Sequence, residues 1–139
     1  MASTEIPAIV SCLFRFLSRG RGFLVTQPQL SGAFDQMVQS AAATHVTIRF
    51  VRDRGDAFLE VGKEPHWFSP DSLRLMLQAG EPVDAPENIQ EDVPFLIEHL
   101  TEIENSFRPA NRPETLRRLT ELRKKKGRIM FPNEFRVLQ

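Results

Sequence analysis

The stretch from His45 to Gly62 constrains this chain more than any other. Val46, Ile48 and Phe50 alternate with Thr47, Arg49 and Val51. Ala57, Leu59 and Val61 then alternate with Phe58, Glu60 and Gly62. Period-two alternation puts each set on one face of an extended strand. Between the runs sits Arg52-Asp53-Arg54-Gly55-Asp56. Gly55 supplies the positive φ that a tight loop needs, and Asp53 can bond its own backbone to close the turn. The pattern predicts a β-hairpin with a charged tip. Arg52 and Arg54 at that tip are candidate contact residues, although turns favour polar side chains even without a partner.

A helix is predicted before this hairpin. Ile6, Ile9, Val10, Leu13 and Leu17 recur at helical spacing, with Phe14 and Phe16 beside them. Pro7 suits only its first turn, and Gly20 and Gly22 mark its end. Core packing against a sheet is the plainer use of that stripe, and a membrane-surface or partner-binding helix is the alternative. Cys12 then reads as a small buried apolar residue. Glu5 precedes the apolar run and Arg15 interrupts it, which argues against a secretory leader.

Short strands are expected at Phe23–Thr26 and Phe34–Ser40, with a loop at Gln27–Gly32 holding Pro28 and Gly32. In the second of these, Phe34, Gln36 and Val38 oppose Asp35, Met37 and Gln39, and Ala41–Thr44 is expected to lead into the hairpin. Lys63–Phe68 is expected to leave the sheet. Ser69-Pro70-Asp71 combines a capping hydroxyl, a proline suited to the first helical position and an acid near the positive end of the dipole. The helix they start buries Leu73, Met76 and Leu77 and stops at Gly80. Trp67 and Phe68 are expected to staple it to the sheet, with ligand stacking on Trp67 as the alternative.

After a connection with Pro82 and Pro86, a helix is expected from about Glu91 to Phe107, with Pro94 in its first turn. Val93, Leu96, Ile97, Leu100, Ile103 and Phe107 form its apolar stripe. Asn111 can cap a last helix carrying Leu116, Leu119 and Leu122, which Gly127 ends before a tail from Ile129 to Leu138. The fold class is therefore α+β: an N-terminal helix, a small antiparallel meander of three to four strands, then three C-terminal helices. At 139 residues this is one domain spanning 1–139, long enough for a real core.

The formal net charge is zero, so no global field draws the chain to nucleic acid or membrane. The balance conceals two poles. From Glu81 to Ser106 there are eight acidic residues and no Lys or Arg. From Arg108 to Arg128 there are nine basic residues, opposed by Glu114 and Glu121. Neighbouring helices of opposite sign are expected to pack antiparallel and pair part of that charge, each exposed pair contributing at most about 1 kcal/mol. Glu91, Glu98 and Glu102 fall together on a helical projection, away from the apolar stripe. Such a face can steer a basic partner. Arg123-Lys124-Lys125-Lys126 could contact phosphates, but no aromatic interleaving or nucleic-acid motif accompanies the run.

Catalytic chemistry finds no support. No two of His45, His66 and His99 have metal-ligand spacing, and one cysteine makes neither a multi-cysteine zinc site nor an internal disulfide. The latter fits a reducing compartment, most simply the cytoplasm. Gly20-Arg21-Gly22 is too short for a phosphate loop and precedes a strand. No apolar run approaches the roughly 20 residues of a membrane span. A non-enzyme without cofactor or metal is expected.

The run from Val46 to Gly62, followed by Trp67 and a capped helix, resembles a group of small bacterial proteins that includes immunity proteins of secreted toxin systems. The likeness spans roughly Phe34 to Arg128. It implies a cytoplasmic protein that binds and neutralises one cognate toxin, and it carries no defined binding motif. The expected function is a protein-binding inhibitor whose acidic face, Glu91, Glu98 and Glu102, and hairpin tip, Arg52 and Arg54, are the candidate contact residues. A nucleic-acid-associated regulator using the basic helix and a small-ligand domain with a pocket around Trp67 are the alternatives.

Overall fold

The computed structural model describes residues 6–31, 36–79 and 88–130. Helix α1 (Ala8–Arg21) is followed by strands β1 (Leu24–Val25), β2 (Gln29–Ser31), β3 (Gln36–Ala42), β4 (Thr47–Asp53), β5 (Asp56–Lys63) and β6 (His66–Phe68). Helices α2 (Pro70–Gln78), α3 (Ile89–Glu98), α4 (Leu100–Ser106) and α5 (Arg112–Met130) follow. The α+β class and the order of helix, antiparallel sheet and helices are as expected. The sheet is larger than a three- or four-stranded meander: six strands run β1-β3-β4-β5-β6, with β2 also paired to β3.

The central hairpin closes in the predicted place. Asp53 pairs with Asp56 across a two-residue loop of Arg54 and Gly55. Both loop residues have positive φ, +54° and +89°, the signature of a type I′ turn that matches the twist of the strands. Sequence reasoning assigned the left-handed conformation to Gly55 alone, and Arg54 shares it.

Two expectations about the sheet are corrected. Gln29–Ser31, expected as loop, is a strand against β3. Leu24 pairs with Ala42 and Gln29 with Val38, so the edge carries one residue more than β3 between these points. That extra residue is a bulge around Pro28, which has no N–H to give a ladder. Thr26 holds the junction: its N–H donates to the Ser40 carbonyl and its hydroxyl accepts from the Ser40 N–H. His66–Phe68, expected to leave the sheet, returns as β6, with Val61 opposite Phe68 and Gly62 opposite Trp67.

One face of the sheet carries the core. Met37, Ala41, Ile48, Phe50, Leu59, Val61 and Phe68 are buried there with side chains from all five helices. Apart from Ala41, each such apolar side chain contributes about 2 kcal/mol of transfer free energy. Helix α1 supplies Val10, Leu13, Phe14 and Leu17. Cys12 was expected to be buried, but it is exposed, because that stripe turns it to the opposite side. Gly22 ends α1 in the left-handed conformation.

Ser69 caps α2 as anticipated, its hydroxyl accepting from the Ser72 N–H at 3.2 Å. Ala79 takes the left-handed cap, while Gly80 lies outside the described residues, as do 81–87 and the tail from 131. The single helix expected over Glu91–Phe107 is two. The chain departs from helical geometry at His99 (φ −106°, ψ 17°) between α3 and α4. The apolar stripe continues through the break, since Leu96, Leu100, Ile103 and Phe107 stay in one core. Asn88 caps α3, which moves Pro94 from the first turn into the helix interior. Helix α5 runs through Gly127 to Met130 instead of stopping there. Asn111, expected to cap it, reaches back to the Asn105 carbonyl at 2.8 Å.

Candidate interaction surfaces

The acidic helices divide into structural and exposed carboxylates. Asp92, one of the eight acidic residues of the segment from Glu81 to Ser106, is 2 % exposed and lies 3.4 Å from an Arg74 guanidinium nitrogen. Arg74 also pairs with Asp71 at 3.1 Å and lies over the Phe95 ring at 4.9 Å. One arginine thus ties α2 to α3. Glu104 is held by Arg21 of α1 at 2.7 Å. Glu91, Glu98 and Glu102 are all exposed. Glu102 meets His99 Nδ1 at 2.9 Å, and the His99 ring packs 4.8 Å from Phe95. Among the described residues, Glu91 and Glu98 have no ion-pair partner. The break at His99 separates Glu98, the last residue of α3, from Glu102 in the first turn of α4.

The basic pole is mostly engaged in holding the fold. Arg112 donates to the Phe107 carbonyl, Arg118 to Met76 O of α2, and Arg123 to Trp67 O of β6. The Arg123 guanidinium also lies 4.4 Å from the Phe68 ring centroid. Lys126 pairs with Asp71. Arg117 pairs with Glu114 and Glu121 within α5. The Arg117 hydrogen bond holds the Glu114 carboxyl below its ordinary pKa, and Glu114 raises that of Arg117 in return. The expected antiparallel pairing of acidic and basic helices is not how α5 is placed: it packs on α2 and β6. Five of the nine bases therefore have internal duties, and Arg108, Lys124, Lys125 and Arg128 stay exposed.

The second face of the sheet presents another cluster, which sequence reasoning missed. Arg49 and Glu60 are directly opposite on β4 and β5 and form an ion pair at 2.7 Å. The Arg49 guanidinium stacks 3.8 Å above the Trp67 ring. Beside them Val51 is 3 % exposed between its cross-strand neighbours Val38 and Phe58, outside the main core. Trp67 is thus on the sheet face away from the helices, under Arg49. The signal was present as Arg49, Glu60 and Trp67 sharing one parity once β6 is counted as a strand. At the hairpin tip Arg54 is exposed and Arg52 half-buried opposite Ala57.

The cavities are shallow. One of about 220 Å³ lies between α2 and α5 over Leu75, Met76 and Leu122, rimmed by Arg118 and Lys125. Another of about 250 Å³ is bounded by Arg21, His45, Glu104 and Arg108. Neither joins a nucleophile to a base. Among the described residues no three His, Cys, Asp or Glu side chains gather as a metal site, and no helix is long and apolar enough to cross a membrane. No family model matches the chain, and no curated protein or solved structure matches it.

Proposed function

We propose that this chain is a non-catalytic protein-binding module of the cytoplasm, an immunity protein that neutralises a cognate toxin. The observation that supports the reading is the exposed acidic ridge of α3 and α4, where Glu91 and Glu98 have no ion-pair partner among the described residues. A ridge of that sign speeds encounter with a basic surface and fits a positively charged active-site cleft. The internal duties of Arg112, Arg117, Arg118, Arg123 and Lys126 weigh against the nucleic-acid alternative, since those cations already serve the fold.

The test is affinity capture from the cells that encode the protein, with wild type and a Glu91→Lys, Glu98→Lys, Glu102→Lys variant side by side. A toxin domain that binds the wild type, is inhibited by it and is lost by the folded triple variant supports the reading. Retention of that partner by the variant removes the acidic ridge. Nucleic acid released at high salt replaces the reading with the basic helix.

A further inference from the structure

The two edges of the sheet are treated differently. At the β6 edge, Arg123 of α5 occupies the outward Trp67 carbonyl and α5 packs alongside. At the other edge, β1 and β2 pair inward with β3, and among the described residues no strand pairs with their outer side. Bare edges are usually guarded by charge. This one has none, for the sequence from Gly22 to Phe34 contains no charged residue. It instead carries all three exposed large apolar side chains of the described chain: Leu24 at 78 %, Val25 at 37 % and Leu30 at 47 %.

We propose that this edge pairs with the same edge of a second copy of the chain, joining two sheets through antiparallel β1–β2 strands about a two-fold axis. The registers fix the arrangement. Val25 sits opposite Ala41, and Leu30 opposite Met37, and both partners are buried on the helix-covered face. Val25 and Leu30 therefore share that face. An axis between Gln27 and Pro28 places Val25 against Leu30 of the second copy, and Leu30 against its Val25. Directly opposed residues of an antiparallel pair lie on the same face, so both apolar pairs form at once. An uncharged strand suits a second uncharged strand, and the chain supplies one. Pro28 at the axis lacks an N–H, so the new ladder consists of two short halves. Such a contact is smaller than the roughly 800 Å² per partner of a standard interface, so the dimer is weak and reversible.

The test is sedimentation equilibrium of the full chain from about 1 μM to about 1 mM, the range in which a contact of this size associates. Wild type is expected to pass from monomer to dimer. Val25→Lys alone and Leu30→Glu alone are each expected to weaken dimerisation about tenfold or more, by opposing a charge to an apolar side chain. The double variant restores it, because each Lys then faces a Glu of the second copy. Hydrogen exchange of wild type at both ends of the range gives an independent readout: amides between 24 and 31 gain protection in the dimer. A chain that stays monomeric throughout, or a dimer untouched by either single substitution, overturns the proposal. Binding of another protein's strand by a chain that is itself monomeric overturns it too.

Discussion

Gly62 stands where the sheet leaves no room for a side chain. It pairs with Trp67, and a Cβ built on it would lie 2.0 Å from the His66 backbone carbonyl oxygen and 3.3 Å from the Trp67 Cα. Real Cβ contacts hardly ever fall below 3.0 Å, so Gly62→Ala forces β6 away by about 1 Å. The obstacle is backbone, and no rotamer relieves it. A shift of that size costs the hydrogen bonds around the Gly62–Trp67 pair, about 1 kcal/mol each, and loosens Phe68 in the core. Together with strain we expect a loss of about 3 kcal/mol. With about 2.1 cal/mol/K of unfolding entropy per residue, 139 residues give about 3 °C of Tm per kcal/mol, hence a fall of about 10 °C. Thermal melting by circular dichroism measures it, and the emission of Trp67, the single tryptophan, reports the displacement locally. Gly20→Ala is the matched control. Its Cβ would sit 3.7 Å from the Phe16 ring, an ordinary contact inside a helix, so stability rises by about 0.5–1 kcal/mol. A Gly62→Ala melt within about 2 °C of wild type would refute the close approach of β5 and β6.

Removing Arg74 takes from the buried Asp92 the guanidinium that lies 3.4 Å from it. Because Arg74 is partly exposed, Arg74→Ala is expected to cost about 2 kcal/mol in urea unfolding, below the full penalty of a buried pair, and a double-mutant cycle with Asp92→Asn should show that the two side chains are coupled. Gly55→Val places a β-branched residue at φ +89° and is expected to lower stability by about 1–3 kcal/mol, whereas an unchanged melt would disprove the turn assignment. Glu114 has a folded pKa below its ordinary 4.5. Its pairing therefore stabilises the protein above that value and is lost as pH falls through the lower folded value. Melts of wild type and Glu114→Gln should accordingly differ at neutral pH and converge in acid, and a gap that widens on acidification would contradict the pair.

The elements legible in the sequence were those whose signals are local and redundant. The hairpin announced itself by two alternating runs and a glycine turn, and α2 by a serine cap followed by proline and aspartate. Strands β2 and β6 have three residues each, too few for alternation to register, and Pro28 argued against the first. The break at His99 lies inside an uninterrupted apolar stripe, and no proline or glycine marks it. Asp92 looked like its exposed neighbours because burial of a carboxylate depends on Arg74, 18 residues earlier and on another helix. Cys12 is apolar by type but lies off the stripe of Val10, Leu13, Phe14 and Leu17, so it is exposed. Of the candidate contact residues, Glu91, Glu98, Glu102 and Arg54 are on the surface and Arg52 is half-buried. The Arg49–Glu60–Trp67 cluster was out of reach until β6 joined the sheet.

Helix α5 is fastened largely by charged side chains: Arg118 on a carbonyl of α2, Lys126 on Asp71, Arg123 on the last strand. Leu119 is its one apolar side chain fully buried in the core among the described residues. Fastenings of this kind loosen with added salt while the sheet's own packing does not. Release of α5 is then the local opening expected to precede global unfolding. It uncovers the second edge of a sheet whose first edge has no partner strand among the described residues. A sheet open at both ends can add copies in both directions, so the same helix that completes the fold also terminates a potential fibre. In Arg123→Ala, aggregation that fails to accelerate with rising salt would show that the strand is guarded by something else.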